Sequence, residues 1–248
     1  MPAERRLGPM AVDFLWEALG AGELPYPLEV RSHGFTMDER AALRMRVRED
    51  LVADGLIDHR GRLEPELEDW FGTLARAELS IDSVFLPELD APPVLALAAA
   101  GRAGGAVLAV QHRDELTLRS VPRDGLVSAI VGLLPGAPRG TEQSISVPAA
   151  ELALVPAGAP QRTSDVESRT ALARLTSKPN RRGGQIGVTS RSEMRGRRRS
   201  SVLSWFDNDS GRYLTYSRDG WAMFAPTDAA TLRQRVGELV MDVTSERR

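Results

Sequence analysis

The side chains that most often carry out chemistry are sparse in this sequence. The three histidines, His33, His59 and His112, are far apart and show neither the His-Glu-x-x-His nor the His-x-His spacing of metal sites. Cysteine is absent, which excludes disulfides, thiolate catalysis and cysteine-bound zinc. Acidic residues are plentiful, but their spacing marks out no catalytic pair. We therefore expect no catalytic residues, no metal and no cofactor, and an enzyme based on carboxylates is the least favoured alternative.

Phosphate-binding and nucleophile motifs are missing as well. Lys178 is the only lysine among 32 basic residues, and Pro179 follows it, so the chain has no Gly-Lys-Ser/Thr loop. The glycine-rich sequence GRAGG at 101–105 precedes a predicted strand, whereas a dinucleotide fingerprint follows a strand and opens a helix. No Gly-x-Ser-x-Gly elbow is present. We interpret GRAGG as a hairpin turn, because its glycines supply the positive φ angles that such turns need.

Basic residues are concentrated between 178 and 199. This segment predicts a solvated loop between strands, and it leaves open binding to an acidic protein surface or to nucleic-acid phosphates. The net charge of the whole chain is −2, which does not favour a polyanionic partner. A nucleic-acid-binding adaptor is therefore an alternative rather than the expected function. The segment contains one acidic residue, Glu193, and eight basic residues: Lys178, Arg181, Arg182, Arg191, Arg195, Arg197, Arg198 and Arg199.

The aromatic residues of the second half cluster on neighbouring predicted strands, at positions 205, 206, 213, 216, 221 and 224. Because side chains alternate along a strand, Trp205 and Phe206 must lie on opposite faces of the sheet. Packing in the core is the expected role of this cluster. A protein-binding face is the alternative, since aromatic residues are enriched at the centres of interfaces.

Nothing in the sequence predicts export or insertion into a membrane. Asp13 and Glu17 interrupt the apolar N-terminal stretch, so it does not have the pattern of a secretory signal. The longest apolar stretch, 92–110, is interrupted by Arg102 and three glycines, so it does not predict a membrane span. We expect a cytosolic protein.

The elements that position these residues follow the same order twice: a helix, four strands and a helix. The first half-repeat covers 63–135, a connector covers 136–163, and the second half-repeat covers 164–243. The closing helices of the two halves lie about 100 residues apart, far beyond the roughly 20–50 residues of a solenoid repeat. The pattern therefore predicts a pseudo-twofold body whose two sets of strands merge into one sheet. The predicted strands are 81–87, 94–100, 105–111 and 115–121, followed by 185–190, 201–206, 211–217 and 220–226.

Helix boundaries are marked by capping residues. A short helix is predicted over 12–19, and a second from Thr36 to Gly55, where Thr36 and Glu39 form a capping box. Thr227 is the predicted cap of the last helix. In the connector, SISVP (144–148) predicts a short strand.

Three segments resemble the EspG family, which is associated with ESX (type VII) secretion in actinobacteria. They are VDFLWEALGAGELPYPLEVRSHG (12–34), DGLIDHRGRLEPELEDWFGTLAR (54–76) and SWFDNDSGRYLTYSRDGWAMFAPTDAATL (204–232). The resemblance implies a single EspG-like domain over 1–248. It also implies an α+β fold with a central, largely antiparallel sheet flanked by helices, and a quasi-twofold relation between halves. That fold agrees with the duplication inferred from the residues.

The same resemblance implies a cytosolic chaperone without enzymatic activity. Its partner would be a helical secretion substrate, a PE–PPE-like heterodimer that the chaperone binds at the helical tip of the PPE protein and keeps soluble and secretion-competent. A homodimer formed through the sheet edges is left open. By location rather than by motif, the implied contact residues are Gly101, Arg102, Ala103, Gly104 and Gly105 of the turn, Trp205 and Phe206 of the sheet, and Arg233 of the last helix.

Overall fold

The structure is a computed structural model that describes residues 4–102, 104–149 and 166–245. The helices are α1 (Pro9–Ala18), α2 (Met37–Ala53), α3 (Pro65–Ala75), α4 (Leu126–Val131), α5 (Val166–Ser177) and α6 (Ala229–Thr244), with a short 3-10 helix, Arg123–Gly125, before α4. The strands are β1 (Glu4–Leu7), β2 (Leu79–Leu86), β3 (Val94–Ala100), β4 (Ala106–His112), β5 (Glu115–Ser120), β6 (Ile145–Pro148), β7 (Arg182–Ser192), β8 (Gly196–Arg199), β9 (Leu203–Asn208), β10 (Gly211–Arg218) and β11 (Trp221–Pro226).

One antiparallel sheet contains all of the described strands. Its order is β1-β5-β4-β3-β2-β7-β9-β10-β11-β6, and β8 pairs with β7 off this path. The two halves meet where β2 pairs with β7, in a register that runs from Leu79↔Ser190 to Leu86↔Gly183. This central pairing confirms that both sets of strands merge into one sheet of an α+β fold.

The strand order on one side of the β2–β7 pair repeats on the other side. β2, β3, β4 and β5 lead outwards in one direction, and β7, β9, β10 and β11 lead outwards in the other. Each half also gains an edge strand from the segment that precedes it, β1 beside β5 and β6 beside β11. The predicted pseudo-twofold duplication is thus present in the topology, while the boundaries assigned to the half-repeats and the connector stay predictions.

Both faces of the sheet are covered, as the alternation along β3 illustrates. Leu97 and Ala99 pack on one face with α1, α2 and α3, whereas Ala96, Ala98 and Ala100 pack on the other. The second face is covered by α4 and α6, which also contact each other. In the second half, α5 lies on the same face as α3. The opening and closing helices of each half therefore lie on opposite faces of the sheet.

The N-termini of two helices show how local sequence sets a boundary. Thr36 Oγ1 accepts a hydrogen bond from Glu39 N at 3.1 Å, as predicted, and the Glu39 carboxylate accepts one from Phe35 N at 2.9 Å. The predicted cap of the last helix was wrong. Asp228 caps α6, because its Oδ1 accepts a hydrogen bond from Thr231 N at 2.8 Å, while Thr227 is buried.

Expectations for the connector and for the basic segment of the second half were met in part. The segment 178–199 is not a loop, since β7 and β8 occupy most of it; Ile186 and Val188 anchor β7 in the core, and Gly196 at φ +67° allows the turn into β8. The short strand predicted at 144–148 is β6. The start of the second half at 164–165 and Ala103 lie outside the described residues.

Candidate partner-binding surface

The turn between β3 and β4 contains five of the predicted contact residues. Gly101 N donates to Gly105 O at 3.0 Å, which closes the turn, and Gly104 has a φ of +89°, which favours glycine. Arg123, in the short helix before α4, donates from Nη1 to the carbonyl oxygen of Gly101. The hairpin turn predicted from GRAGG is therefore present, and the short 3-10 helix that precedes α4 contacts it through Arg123.

Arg102 connects this turn to the centre of the sheet. Its Nε lies 3.2 Å from Glu78 Oε1, and its Nη1 lies 2.9 Å from Glu193 Oε1 in the β7–β8 connection. The hydrogen bonds that Arg102 donates to the carboxylates of Glu193 and Glu78 raise the pKa of Arg102 above its usual value. Arg123 also approaches Glu78, with 3.4 Å between Nη2 and Oε2. Because these ion pairs are exposed, they orient the turn more than they stabilise the fold.

A groove of about 940 Å³ runs beside this turn. Its walls are the C-terminal part of α3, the β3–β4 turn and the β7–β8 connection. The lining carries both signs of charge, which suits the polar rim of a protein–protein interface better than a buried small-molecule site. The charged lining residues are Glu68, Asp69, Arg76, Glu78, Arg102, Arg191 and Glu193.

Trp205 lies in the core and not on this surface. Its side chain is 2% exposed, its ring lies 6.2 Å from that of Phe85, and the guanidinium of Arg212 stacks over it at 4.5 Å. The structure does not support a direct contact between Trp205 and a partner, because α4 and α6 cover the face of the sheet on which its side chain lies. The role expected for the aromatic cluster, packing in the core, describes this residue.

Phe206 and Arg233 are more accessible, but they lie away from the turn. Phe206 is half-buried on the opposite face from Trp205, as alternation predicted, and stacks on Tyr213 with 5.5 Å between ring centroids. It pairs with Gly183, at the end of β7 remote from Ser190. Since Ser190 lies beside the β3–β4 turn, Phe206 and the turn are separated by roughly 23 Å of strand.

Arg233 lies in the first turns of α6 and is exposed. Its side chain makes no hydrogen bond or ion pair with any other residue that the structure describes. Arg139, beside the start of the same helix, donates to Thr231 Oγ1 at 3.1 Å. The structure therefore groups Gly101, Arg102, Gly104 and Gly105, and it leaves Phe206 and Arg233 at separate places.

Most of the basic residues in 178–199 are engaged within the chain. Arg199 forms a two-bond pair with the buried carboxylate of Asp82, at 2.7 and 2.9 Å. Lys178 pairs with Glu142 at 2.8 Å, and Arg198 donates to two backbone carbonyls at the C-terminal end of α6. Arg195 is also engaged. Arg181 and Arg182 pair with Asp209 and Asp207.

Arg191 and Arg197 differ from the other six basic residues. They are exposed and lie directly opposite each other in the β7–β8 pairing, and neither side chain has a hydrogen bond or ion pair with another described residue. The local sequence does not distinguish these two arginines from the other six basic residues, because it does not show which of the eight have an acidic partner far away in the chain.

A second cleft, of about 1010 Å³, lies between α1 and the segment that follows it. Asp13 lies at its inner end and accepts hydrogen bonds from His33 N at 2.8 Å and from both Nη atoms of Arg40 at 3.0 Å. Burial raises the pKa of Asp13, but these hydrogen bonds outweigh burial and leave it lowered. Arg40 also binds Glu17 at 2.6 Å and donates to the carbonyl of His33. Asp13 and Arg40 together therefore hold the backbone at His33 against α1 and α2.

Within the described ranges no group of three or more metal-ligating side chains is close enough to hold a metal ion. Among the helices of that same part of the chain, none is both long and apolar enough to cross a membrane.

Comparisons with known proteins identify a family from the sequence and a shared fold from the structure. The model described as the EspG family matches residues 9–238. Among solved structures, the chain is similar to the Mycobacterium tuberculosis type VII secretion system chaperone EspG5, solved in complex with a PE25–PPE41 dimer. The TM-score is 0.66 at 16% identity, and the match covers 97% of this chain and 96% of that chain. At this identity the likeness shows a shared fold. No curated protein matches the chain.

Proposed function

The chain belongs to the EspG family, and from this premise we propose that it is a cytosolic chaperone for type VII (ESX) secretion substrates of the PE–PPE type. It binds such a heterodimer and keeps it soluble and secretion-competent. The observation that carries the proposal is the family match over 9–238, which includes the candidate groove and every strand except β1. The fold shared with a chaperone solved together with a PE25–PPE41 dimer supports the same role.

The β3–β4 turn and the adjoining groove are the proposed client-binding surface. Gly101, Arg102, Ala103, Gly104 and Gly105 are its proposed contact residues. Phe206 and Arg233 are proposed as outlying contacts of a client that extends along the sheet. Trp205 acts from the core, where it supports the strand that carries Phe206. The glycines allow a partner backbone to approach closely, since no side chain projects from them.

A chaperone of this kind must cover the client and later release it. The proposed surface suits both demands, because it combines an open groove with exposed charged side chains such as Arg102 and Glu193. Polar interfaces of moderate size form and dissociate more readily than large apolar ones. Arg102 is oriented in advance by Glu78 and Glu193, so little side-chain entropy is lost when a client binds.

The two alternative functions gain no support from the same contacts. A nucleic-acid adaptor needs many free cations along a phosphate backbone, yet most of the basic residues in 178–199 already have partners in the chain. An enzyme needs a carboxylate poised for proton transfer, whereas Asp13 and Glu17 are paired with Arg40 and have lowered pKa values. The proposed function is therefore binding without catalysis.

The test is binding to a purified PE–PPE heterodimer encoded in the same genome as this chain. Binding is measured by biolayer interferometry, and co-elution is checked by size-exclusion chromatography. We expect a one-to-one complex of chaperone and heterodimer. Truncating an interface hot spot costs more than about 1 kcal/mol, so Arg102→Ala should weaken the complex at least about fivefold.

The matched control is Arg46→Ala, which removes an exposed arginine of α2 that does not line the groove. Arg46→Ala should bind as the wild-type chain does. If no PE–PPE heterodimer binds the wild-type chain, the proposed function is wrong. If the heterodimer binds and Arg102→Ala behaves like Arg46→Ala, the chaperone role stands and the assigned surface is wrong.

A further inference from the structure

We propose that Arg191 and Arg197 form a docking point for carboxylate groups of the client, on the two-stranded ribbon that β7 and β8 form over 189–199. The inference rests on the proposed chaperone function, and it adds the chemistry that the client must present. That chemistry is a run of aspartate or glutamate side chains at the end of the client that enters the groove.

The first observation is the pairing of two like charges. Arg191 lies directly opposite Arg197 in the register of the ribbon. Directly opposite side chains have their Cβ atoms about 5 Å apart, and like charges in such positions are destabilising. A neighbouring carboxylate would remove this repulsion, but no described acidic residue makes an ion pair with either arginine. A carboxylate supplied by a partner would therefore be attracted by both guanidinium groups and would relieve the repulsion between them.

The second observation is the direction in which the two arginines point. The next pair along the ribbon, Thr189↔Arg199, faces Asp82 on the side of the sheet that carries α3. Residues two positions apart on a strand share a face, so Arg191 and Arg197 point to that side as well. The alternate pair, Ser190↔Arg198, faces the C-terminal end of α6.

The third observation is continuity with the client-binding groove. Arg191 lines that groove together with Arg102 and Gly101. Arg76, in the α3 wall of the same groove, is exposed and makes no side-chain hydrogen bond or ion pair within the described part of the chain. A client segment that lies along the groove would therefore reach Arg191 and Arg197 as it leaves between α3 and the ribbon.

An apolar contact lies at the tip of the ribbon. Met194 is 96% exposed and stands between the two strands that carry the arginine pair. Methionine adapts its shape to irregular apolar surfaces. The ribbon thus offers two positive charges and one flexible apolar side chain, a combination that fits an amphipathic helical tip with acidic residues.

A protein client fits this surface better than a nucleic acid does. Glu68 and Asp69 lie in the α3 wall of the groove, across from the ribbon, and they would repel a phosphate backbone that passed along the groove. Two unpaired arginines neutralise few phosphates, and affinity for nucleic acid grows with the number of phosphates neutralised. A helix that carries carboxylates on one side only can avoid the acidic wall.

The experiment compares two double charge reversals, Arg191→Glu/Arg197→Glu and Arg46→Glu/Arg60→Glu. The first keeps the like-charge repulsion across the ribbon, so its melting temperature should match that of the wild type. The second changes the net charge equally, at exposed arginines of α2 and the following loop. Association with the purified PE–PPE heterodimer from the same genome is measured by stopped flow at about 50 mM and about 500 mM salt.

We expect the ribbon variant to associate at least about tenfold more slowly at low salt, and the difference from wild type to shrink at high salt. Arg191→Lys/Arg197→Lys should keep most of the wild-type rate. If the ribbon variant and the control variant associate equally fast with the heterodimer, the inference is wrong and the chaperone function stands. If the wild-type chain binds no heterodimer, both are wrong. A single-stranded oligonucleotide of about 20 nucleotides is also added to each complex as a competitor. If it displaces the heterodimer from the wild-type chain and not from the ribbon variant, the ribbon binds phosphates, and the inference is again wrong.

Discussion

Arg212 and Asp207 form a bidentate ion pair inside the second half of the protein. Arg212 Nε lies 2.7 Å from Asp207 Oδ1 and Arg212 Nη2 lies 2.8 Å from Oδ2, with both side chains at most 4% exposed. Arg212 also donates to the carbonyl of Pro135 at 2.6 Å, just after the first closing helix, and stacks over Trp205. This pair therefore ties the end of the first half to the core of the second.

Removing one member of this pair should destabilise the fold strongly. Asp207→Ala leaves the guanidinium of Arg212 buried without a counter-charge, which typically costs about 3–5 kcal/mol. The free energy of unfolding in urea measures the effect. The control is the double change Asp207→Leu/Arg212→Met, which removes both charges of the buried pair and should cost less than Asp207→Ala alone. Arg182, which also pairs with Asp207, loses that partner in both variants, so its contribution cancels in the comparison. A double variant that is less stable than the single variant would contradict this account.

Trp205→Ala should behave as a core mutation and not as an interface mutation. Loss of a buried tryptophan leaves a cavity and typically costs about 3–5 kcal/mol. Any loss of client binding by this variant would therefore follow its loss of folded protein, measured by circular dichroism at the binding temperature. Trp221→Ala is the matched control, because Trp221 is 46% exposed, and its free energy of unfolding should change by no more than about 0.5 kcal/mol.

Two glycine substitutions should have opposite effects on stability. A Cβ at Gly184 would lie 2.4 Å from Phe85 Cβ and 2.6 Å from the carbonyl oxygen of Val84, so Gly184→Ala should cost about 1–3 kcal/mol. Gly237 lies inside α6 with no atom close to its added Cβ. Gly237→Ala should therefore stabilise the protein by about 0.5–1 kcal/mol. Thermal unfolding of the two variants in one buffer measures both shifts, and a common sign would refute the packing argument.

Asp13 should contribute to the loss of stability in acid. Its pKa is lowered in the folded protein, so its carboxylate stabilises the fold fully above the unfolded value of 3.8 and loses that effect as the pH falls through the lower folded value. Asp13→Asn should therefore lose less unfolding free energy than wild type between about pH 6 and about pH 3, measured with urea at each pH. The matched control is Asp90→Asn, which makes the same change at an exposed carboxylate. If Asp13→Asn lost as much unfolding free energy in acid as the wild type, protonation of Asp13 would not be a cause of the acid sensitivity.

The sequence determined the local elements and their order. Alternating apolar residues marked β2 to β5, β7 and β9 to β11, because each strand must bury one or both faces whatever its neighbours are. Glycine, aspartate and asparagine marked the turns at 101–105 and 207–211, because the left-handed backbone of a turn suits these residues. The repeated order of elements then indicated the duplication, and three ordered segments indicated the family. β1 and β8 were not predicted, since the four residues of each strand, Glu4–Leu7 and Gly196–Arg199, are too few to show a period.

The partners of polar and aromatic side chains were decided only by the tertiary structure. Alternation placed Trp205 and Phe206 on opposite faces, but only the packing of α4 and α6 decided that Trp205 is the enclosed one. Arg199 found its partner in Asp82, which is 117 residues away, while Arg191 found none among the described residues. The order of strands in the sheet decides which distant residues lie close enough to pair, and that order results from the sum of many long-range contacts. A local pattern contains no information about that sum, which is why the free arginine pair became visible only in the fold.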